Sequence, residues 1–439
     1  MKGDEVIQMN IKSFKNINHT ILSEKDDSQK YIGYSHLQNC TITGRNNYYP
    51  NILLNIDSNL NNKISEIISP YDEKIMSLNK DSFYDNNTYE YQNSGITYNF
   101  IETPVFFFIY NFDNYYHFLY DTIPYLYTYL QLKKDIPLLK LLVYYPNKNM
   151  NDFYIFNKEI LFKIISNESE YIIHNENNKY NNIYISTSLT HNESSNNKPR
   201  NEIFEIYNMI KKNINYNNIR KKYINKPYIY ISRRTWIHND YSNIGTNYTT
   251  RRKMMNENEL VEKLNENNFY EVFAEQLNID EKIYIFSNAN SICGSIGGGM
   301  CNLLFSNNNC NSFIIVSPEF LKINERFKYS MDHTNITYYS DCQTYIEENN
   351  VPLFTRIKIT DVNNLFYDKY GEIINYANDL YLVNISNNDV AGFNNNIIFD
   401  QKWISECEFI KLDNGLNSPY IMNIQSFINI INKNTIDFN

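Results

Sequence analysis

The most specific candidate for chemistry is a glycine-rich turn, Gly294-Ser295-Ile296-Gly297-Gly298-Gly299, between a predicted strand and a predicted helix. Glycine has no Cβ, so backbone N–H groups in such a turn can approach an anion closely. The N-terminus of the following helix adds positive potential. The turn matches neither GxGxxG nor the P-loop, which ends in Lys-Ser/Thr. It indicates an anion site, and the alternative interpretation is a tight turn that needs positive φ.

Four arginines follow a predicted strand within one stretch of sequence: Arg233, Arg234, Arg251 and Arg252. Guanidinium groups bind phosphate oxygens in a bidentate manner and do not lose their charge. In a chain with a formal net charge of −9, four arginines near one sheet edge favour a phosphate site. The alternative is that they are solvated at the surface or pair with Glu257 and Glu259.

A third candidate lies upstream, where His117 and Asp121 are four residues apart in a predicted helix. This spacing places both side chains on one helix face. A carboxylate beside an imidazole can orient the ring and raise its basicity, which suits a general base. The alternative is a structural pair with no catalytic task.

The elements that must position these residues can be predicted from apolar runs and helix signals. Strands are predicted at 105–110, 139–145, 183–186, 228–231, 270–273, 291–293 and 312–316. Helices are predicted at 115–132, 153–165, 202–220, 256–264, 281–287 and 300–305, with Asn256 as the N-cap of its helix and Glu259 at the third helical position. Strands that alternate with helices indicate parallel βαβ units, in which ligands bind at the carboxyl ends of the strands.

Composition excludes several other classes of protein. The acidic balance of 49 Asp plus Glu against 40 Lys plus Arg argues against a nucleic-acid-binding protein. No apolar stretch approaches the roughly 18 residues that a membrane span needs. The cysteines form no CxxC pair and the histidines form no metal motif, so no metal site is predicted. An NAD-dependent oxidoreductase is disfavoured because no GxGxxG follows the first strand.

Taken in order, these residues resemble glycosyltransferase family 61 over roughly 104–339. The family pattern is a strand ending in Ser-Arg, an Arg before Asn-Glu, a Glu before the next helix and a Gly-x-His-Gly-Ala-Gly-Leu-x-Asn turn. An upstream His…Asp motif of the family is similar to Asn114-Tyr115-Tyr116-His117-Phe118 with Asp121. The sequence also departs from the family: the family His is Ile296, its Ala is Gly298, and the Gln usual after Glu281 is Lys282.

The resemblance implies an α/β fold of the GT-B type, with two Rossmann-like domains facing each other across a cleft. It implies metal-independent, inverting transfer of a sugar from a nucleotide-sugar, a UDP-sugar above all, to a hydroxyl of a glycan or protein. No DxD motif in a strand context appears. His117 or Asp121 would be the base, and Glu257 and Glu275 would either bind donor hydroxyls or hold the arginines. The donor-binding residues would be Arg233, Arg234, Arg252, Asn256, Glu257, Glu275, Ser295, Ile296, Gly297, Gly298, Gly299 and Asn302.

The expected organisation is an N-terminal extension (1–98), an acceptor domain (99–221), a donor domain (222–346) and a C-terminal segment of unknown role (347–439), with both extensions polar and mixed. Loss of the family His at Ile296 supports an alternative, a catalytically inactive protein that binds sugar or nucleotide. No separate cofactor is expected, and a homodimer is conceivable. About one residue in six is Asn, which we attribute to AT-rich DNA. With no apolar N-terminal region, this predicts a cytoplasmic enzyme of a microbe or a large virus.

Overall fold

The computed structural model describes residues 10–13, 17–43, 51–54, 66–69, 74–77, 98–110, 115–143, 151–175, 177–190, 198–234, 252–318, 320, 326–346, 351–387, 398, 400–413 and 417–435. Two compact units divide the chain, Met1–Ile214 and Asn215–Asn439. The predicted domain boundaries at residues 98, 221 and 346 stay predictions. Asn114 and Arg251 lie outside the described residues.

The first unit is built on one mixed sheet. Its strands are β1 (Asn10–Ser13), β2 (His19–Ser23), β3 (Ile32–Thr43), β4 (Asn51–Leu54), β5 (Glu66–Ser69), β6 (Lys74–Ser77), β7 (Asn99–Ile101), β8 (Val105–Phe107), β9 (Lys140–Val143), β10 (Tyr171–Ile173) and β11 (Asn178–Ser186). Their order across the sheet is β1-β6-β5-β4-β3-β11-β8-β9-β10, with β2 beside β3 and β7 beside β11.

Four neighbouring strands of this sheet, β11, β8, β9 and β10, run parallel. Strand β8 is fully buried, as its continuous apolar run predicts. Burying one such side chain contributes about 1.5–3 kcal/mol. The long strand β3 pairs antiparallel with β11, so the N-terminal region adds strands to the same sheet. The sheet is therefore mixed, whereas alternation of strands and helices alone predicts a parallel one.

The helices of the first unit are α1 (Tyr115–His117), α2 (Leu126–Asp135), α3 (Asn151–Leu161) and α4 (Ile203–Lys212). The helix-like stretch predicted over 115–132 is confirmed, but its winding changes along the chain. A π-helical turn, Phe118–Thr122, and a 3₁₀ turn, Ile123–Tyr125, separate α1 from α2. Pro124 explains the change, because proline has no N–H to donate and its ring clashes with the carbonyl four residues earlier. The Ile123 N–H instead bonds the Phe118 carbonyl, five residues back.

The second unit contains a five-stranded sheet that is parallel throughout. Its strands are β12 (Tyr228–Ile231), β13 (Tyr270–Val272), β14 (Ser291–Ser295), β15 (Asn311–Ile315) and β16 (Asn335–Tyr339), in the order β13-β12-β14-β15-β16. Helices α5 (Glu257–Glu266) and α6 (Ile279–Asn288) connect the first three strands, and a 3₁₀ helix, Gly298–Phe305, follows β14. The predicted strands and helices of this region are confirmed, within a few residues at each end.

The C-terminal region contributes two further structures to the second unit. Beyond the short helix α7 (Arg326–Tyr329), an antiparallel sheet of order β21-β20-β19-β18-β22 has its own apolar core. Its strands are β18 (Arg356–Ile359), β19 (Tyr370–Ala377), β20 (Leu380–Ser386), β21 (Asp400–Ile404) and β22 (Phe409–Asp413).

The last part of the chain then returns to the parallel sheet. β17 (Cys342–Thr344) pairs with β23 (Tyr420–Met422), and α8 (Ile424–Thr435) follows β23. Tyr420 and Phe427 are buried in the same core as Tyr230 of β12 and Phe313 of β15. Residues 417–435 therefore complete the parallel-sheet core. No helix within the described ranges combines the length and the apolar character that a bilayer crossing requires.

Candidate functional site

The strand order of the parallel sheet brings two of the predicted motifs together. Strand β12 lies between β13 and β14, and Ile231 pairs with Gly294 at the carboxyl ends of β12 and β14. The chain leaves β12 toward one side of the sheet and β14 toward the other, and in such sheets ligands bind at this switch point. The residues that follow, Ser232-Arg233 and Ser295-Ile296-Gly297, therefore share one edge of the sheet.

Arg233 reaches the glycine-rich turn and contacts its backbone. Its Nη1 donates a hydrogen bond to the Ile296 carbonyl over 3.4 Å. A Cβ on Gly297 would lie 2.9 Å from this Nη1 and 4.0 Å from Nη2 of Arg252. Two guanidinium groups thus converge on one glycine. This arrangement places two positive charges beside the turn that the sequence predicts to bind an anion.

The surroundings of Gly297, Gly298 and Gly299 in the turn differ from one another. Gly297 has φ of 160°, an extended conformation open to any residue, so the alternative of a turn that needs positive φ does not explain it. It is glycine because the arginine approaches closely. A Cβ on Gly299 would lie 3.2 Å from Cγ2 of Ile231, so this glycine packs against β12. A Cβ on Gly298 would meet no atom within 4 Å, so space is open beside it.

Arg252 is held by contacts with distant parts of the second unit. Its backbone has φ of 52°, which is rare for a residue other than glycine and costs of order 1 kcal/mol. Its N–H donates to the Asn417 carbonyl over 2.7 Å, and its guanidinium lies 4.4 Å from the centre of the Phe320 ring. These contacts fix Arg252 beside the turn.

Glu257 lies beneath the site, with 1% of its surface exposed. Its Oε1 accepts hydrogen bonds from Tyr230 Oη over 2.8 Å, from Ser232 Oγ over 3.0 Å and from the Arg233 N–H over 2.8 Å. Burial raises the pKa of this carboxyl, and the three hydrogen bonds and the charge of Arg233 oppose the shift. Glu257 thus fixes the backbone at Arg233, and its two predicted roles stay predictions.

Three other predicted donor-binding residues contact protein groups. Arg234 forms a bidentate pair with Glu271, with both N···O distances 2.6 Å, and not with Glu257 or Glu259. The Asn256 amide exchanges two hydrogen bonds with the backbone of Met422 in β23. The predicted N-cap position of Asn256 on α5 is confirmed, and its side chain bonds β23 rather than the N–H groups of the helix. Asn302 is buried and donates to the Gly299 carbonyl over 2.9 Å, which stabilises the turn.

Ser295 and Ile296 also point into the protein. The Ile296 side chain is 1% exposed, so only its backbone faces Arg233. The Ser295 hydroxyl lies 2.8 Å from Tyr420 Oη. Burial raises the pKa of Tyr420, and the positive charge of Arg233 acts against this shift, as expected for neighbours. Tyr420 is a site residue that sequence reasoning missed, because no local pattern links it to a turn 125 residues away.

Glu275 lies in the short 3₁₀ turn Ala274–Gln276 that follows β13. It is partly buried. Burial raises the pKa of its carboxyl, while the charges of Lys282 and Arg233 act in the opposite direction. Its neighbour Ala274 has its Cβ 3.6 Å from the place where a Cβ on Gly299 would be. Glu275 therefore borders the same edge of the sheet as the turn and Arg233.

In the first unit, His117 and Asp121 form the predicted pair. His117 Nδ1 lies 2.6 Å from Asp121 Oδ2, and the side chains are 31% and 2% exposed. An ionised carboxylate can only accept, so Nδ1 carries the proton and the basic lone pair of the neutral ring lies on Nε2. The pair spans the start of the π-helical turn, a winding found frequently at functional sites.

A model of a known protein family matches part of the chain. Residues 115–313 match the family model of glycosyltransferase 61, from α1, which carries His117, into β15. This region is similar to glycosyltransferase family 61, as the sequence motifs predict. No curated protein matches the chain. In the described ranges, no three His, Cys, Asp or Glu side chains are grouped in a way that could hold a metal ion.

Proposed function

We propose that the chain is a glycosyltransferase that binds a nucleotide-sugar, UDP-linked in the first instance, at the carboxyl edge of the parallel sheet in its second unit. The observation that supports this most directly is the convergence of Arg233 and Arg252 on Gly297. Paired guanidinium groups beside open backbone suit a diphosphate, because its oxygens carry the charge that arginine binds best. The similarity of residues 115–313 to family 61 supports the class of reaction, and the two arginines support the proposed position of the donor.

In the proposed reaction an acceptor hydroxyl attacks the anomeric carbon of the donor sugar. The bond from that carbon to the phosphate oxygen breaks, and its electron pair leaves with the nucleoside diphosphate, so configuration inverts. Arg233 and Arg252 would stabilise the charge that develops on the leaving group, as preorganised donors do. Because the chain itself supplies these positive charges, we propose that transfer does not depend on a metal ion.

The acceptor proton needs a base, and His117 is the proposed one. Asp121 orients its ring over 2.6 Å and would stabilise the imidazolium that forms. His117 belongs to the first unit and the arginines belong to the second. The proposal therefore requires the GT-B arrangement that the family resemblance implies, and that arrangement stays a prediction.

Calorimetric titration with UDP tests the donor site directly. We expect Arg233→Ala to weaken UDP binding at least about tenfold, because a charge-assisted hydrogen bond contributes roughly 1.5–3 kcal/mol. Lys263→Ala is the matched control, since this cation pairs with Glu266 on the surface of α5. Unchanged UDP affinity in a folded Arg233→Ala protein would contradict the proposed site.

A second candidate is a catalytically inactive protein that binds the nucleotide-sugar. It is favoured by Ile296, which replaces the family His and keeps its side chain in the core. Measuring the release of free UDP from UDP-sugars, with and without added sugar acceptors, distinguishes the active enzyme from the inactive binding protein. An active enzyme releases UDP, whereas a binding protein retains affinity and releases none.

A further inference from the structure

Two acidic side chains at the proposed donor edge, Glu257 and Glu275, each have a buried carboxylate oxygen without a hydrogen-bond partner among the described residues. Glu257 is only 1% exposed, whereas Glu275 is partly exposed and therefore open to a ligand. The Glu257 carboxylate is occupied by three hydrogen bonds at one oxygen, and Glu271 is paired with Arg234. Glu275 has no ion pair of this kind within the described part of the chain. Its Oε1 is buried and has no hydrogen-bond partner there. A buried carboxylate oxygen without a donor costs free energy, so a ligand that supplies a donor would be favoured.

The position of Glu275 indicates which part of a ligand it would meet. It follows β13, the strand beside β12 and on the side away from β14. The phosphates of a donor at Arg233 and Gly297 would lie between the ends of β12 and β14. In doubly wound sheets, a nucleotide held there extends over the neighbouring strand, and an acidic residue after that strand binds the ribose.

The chemistry of the group agrees with this position. An ionised carboxylate has acceptors only, so it repels phosphate oxygens and binds groups that donate. Two neighbouring hydroxyls, as on a ribose, offer two donors to two carboxylate oxygens. Burial raises the pKa of Glu275, and the charges of Lys282 and Arg233 act in the opposite direction, toward the ionised form that accepts best.

We propose that Glu275 accepts hydrogen bonds from the ribose hydroxyls of the donor, including the 2′-hydroxyl, and so selects ribonucleotides over 2′-deoxyribonucleotides. This inference rests on the proposed function, since it assumes that the diphosphate binds at Arg233. It goes further in naming the sugar of the nucleotide as a determinant of specificity. It also assigns that determinant to one side chain.

The experiment compares ribonucleoside diphosphates with their 2′-deoxy forms by calorimetry on the full chain, with UDP, GDP, ADP and CDP as probes. For the base that binds, we expect wild type to prefer the ribonucleotide roughly 10- to 100-fold, the effect of a hydrogen bond to a charged group. Glu275→Ala should reduce this preference to about twofold by weakening the ribonucleotide alone. Glu275→Gln keeps one acceptor without the charge and should give an intermediate preference.

Glu262→Ala is the matched control, because this carboxylate is exposed on α5. It should leave the preference at the wild-type value. Arg233→Ala should weaken the ribo and deoxy forms by the same factor, since phosphate binding does not distinguish them.

Each unexpected binding result contradicts a different part of the proposal. Equal binding of the two forms by wild type contradicts the role of Glu275 and leaves the donor site standing. A Glu275→Ala protein that loses affinity for a UDP-sugar but not for UDP also overturns it, because Glu275 would then bind the transferred sugar. If none of the eight nucleotides binds wild type, the proposed donor site is itself contradicted.

Discussion

The Arg233 guanidinium occupies the space beside Gly297 that a side chain at position 297 would need. A Cβ there would lie 2.9 Å from Arg233 Nη1. Real Cβ atoms essentially never come this close to another heavy atom, so a larger residue at 297 would require the Arg233 guanidinium, the flexible end of its side chain, to move. The position of the Arg233 side chain therefore depends on glycine at 297. The two residues are distant in sequence, since 63 positions separate Arg233 from Ile296, whose carbonyl it binds.

Gly297→Ala should weaken nucleotide binding without unfolding the protein. The new methyl group displaces the Arg233 guanidinium, and we expect UDP affinity to fall roughly tenfold, as for loss of one charge-assisted hydrogen bond. The control is Gly298→Ala, whose methyl group would meet nothing within 4 Å. Calorimetry checks both variants, and equal affinities for the two would contradict the close-approach explanation.

The Ser295–Tyr420 hydrogen bond should couple the turn to the C-terminal strand. Tyr420→Phe leaves a nearly buried Ser295 hydroxyl without this partner, which should cost about 1–3 kcal/mol in the free energy of unfolding. Urea denaturation measures this cost. In a double-mutant cycle with Ser295→Ala, the double variant should lose less than the sum of the single losses. Strict additivity would show that the two hydroxyls do not interact.

His117→Ala should abolish transfer and spare donor binding. A general base contributes roughly 10²–10⁴-fold to the rate, whereas His117 lies outside the unit that carries the donor residues. Asp121→Asn should lower turnover less, because the amide can still orient the ring but no longer stabilises its charged form. Turnover of a UDP-sugar, with UDP affinity measured in parallel, is the test. Full turnover in His117→Ala would exclude this residue as the base.

A buried histidine predicts a dependence of stability on pH. Burial lowers the pKa of His174 to about 4 from the ordinary value of 6.5, and its Nδ1 lies 2.7 Å from Tyr180 Oη. Between these values the unfolded chain binds more protons than the folded one, so the stabilisation is complete above pH 6.5 and is lost as the pH falls toward 4.

The matched comparison is His174→Gln, which does not titrate. Over this window the stability advantage of wild type over the variant should shrink by about 3 kcal/mol, because each pKa unit corresponds to about 1.4 kcal/mol. Chemical denaturation at several pH values measures the difference. A constant difference between the two proteins would show that His174 does not supply the effect.

Local sequence was sufficient to predict the strands and helices around the parallel sheet of the second unit. Short apolar runs such as Tyr228–Ile231 were enough to predict the strands, because a strand buried on both faces needs apolar side chains at every position. The spacing of His117 and Asp121 likewise predicted their contact, since a helical turn brings such residues together whatever surrounds them. Pro124 changed the winding of that helix without separating the pair.

Only the tertiary structure decided which polar side chains lie at the proposed ligand site and which are occupied by other protein groups. Arg233 and Arg234 are adjacent in sequence, yet one meets the glycine-rich turn and the other pairs with Glu271 on the neighbouring strand β13. Tyr420 reaches Ser295 because β23 returns to the parallel-sheet core, and no local pattern encodes that return. Residue type and spacing set what chemistry is available, whereas burial and long-range packing decide which groups remain to perform it.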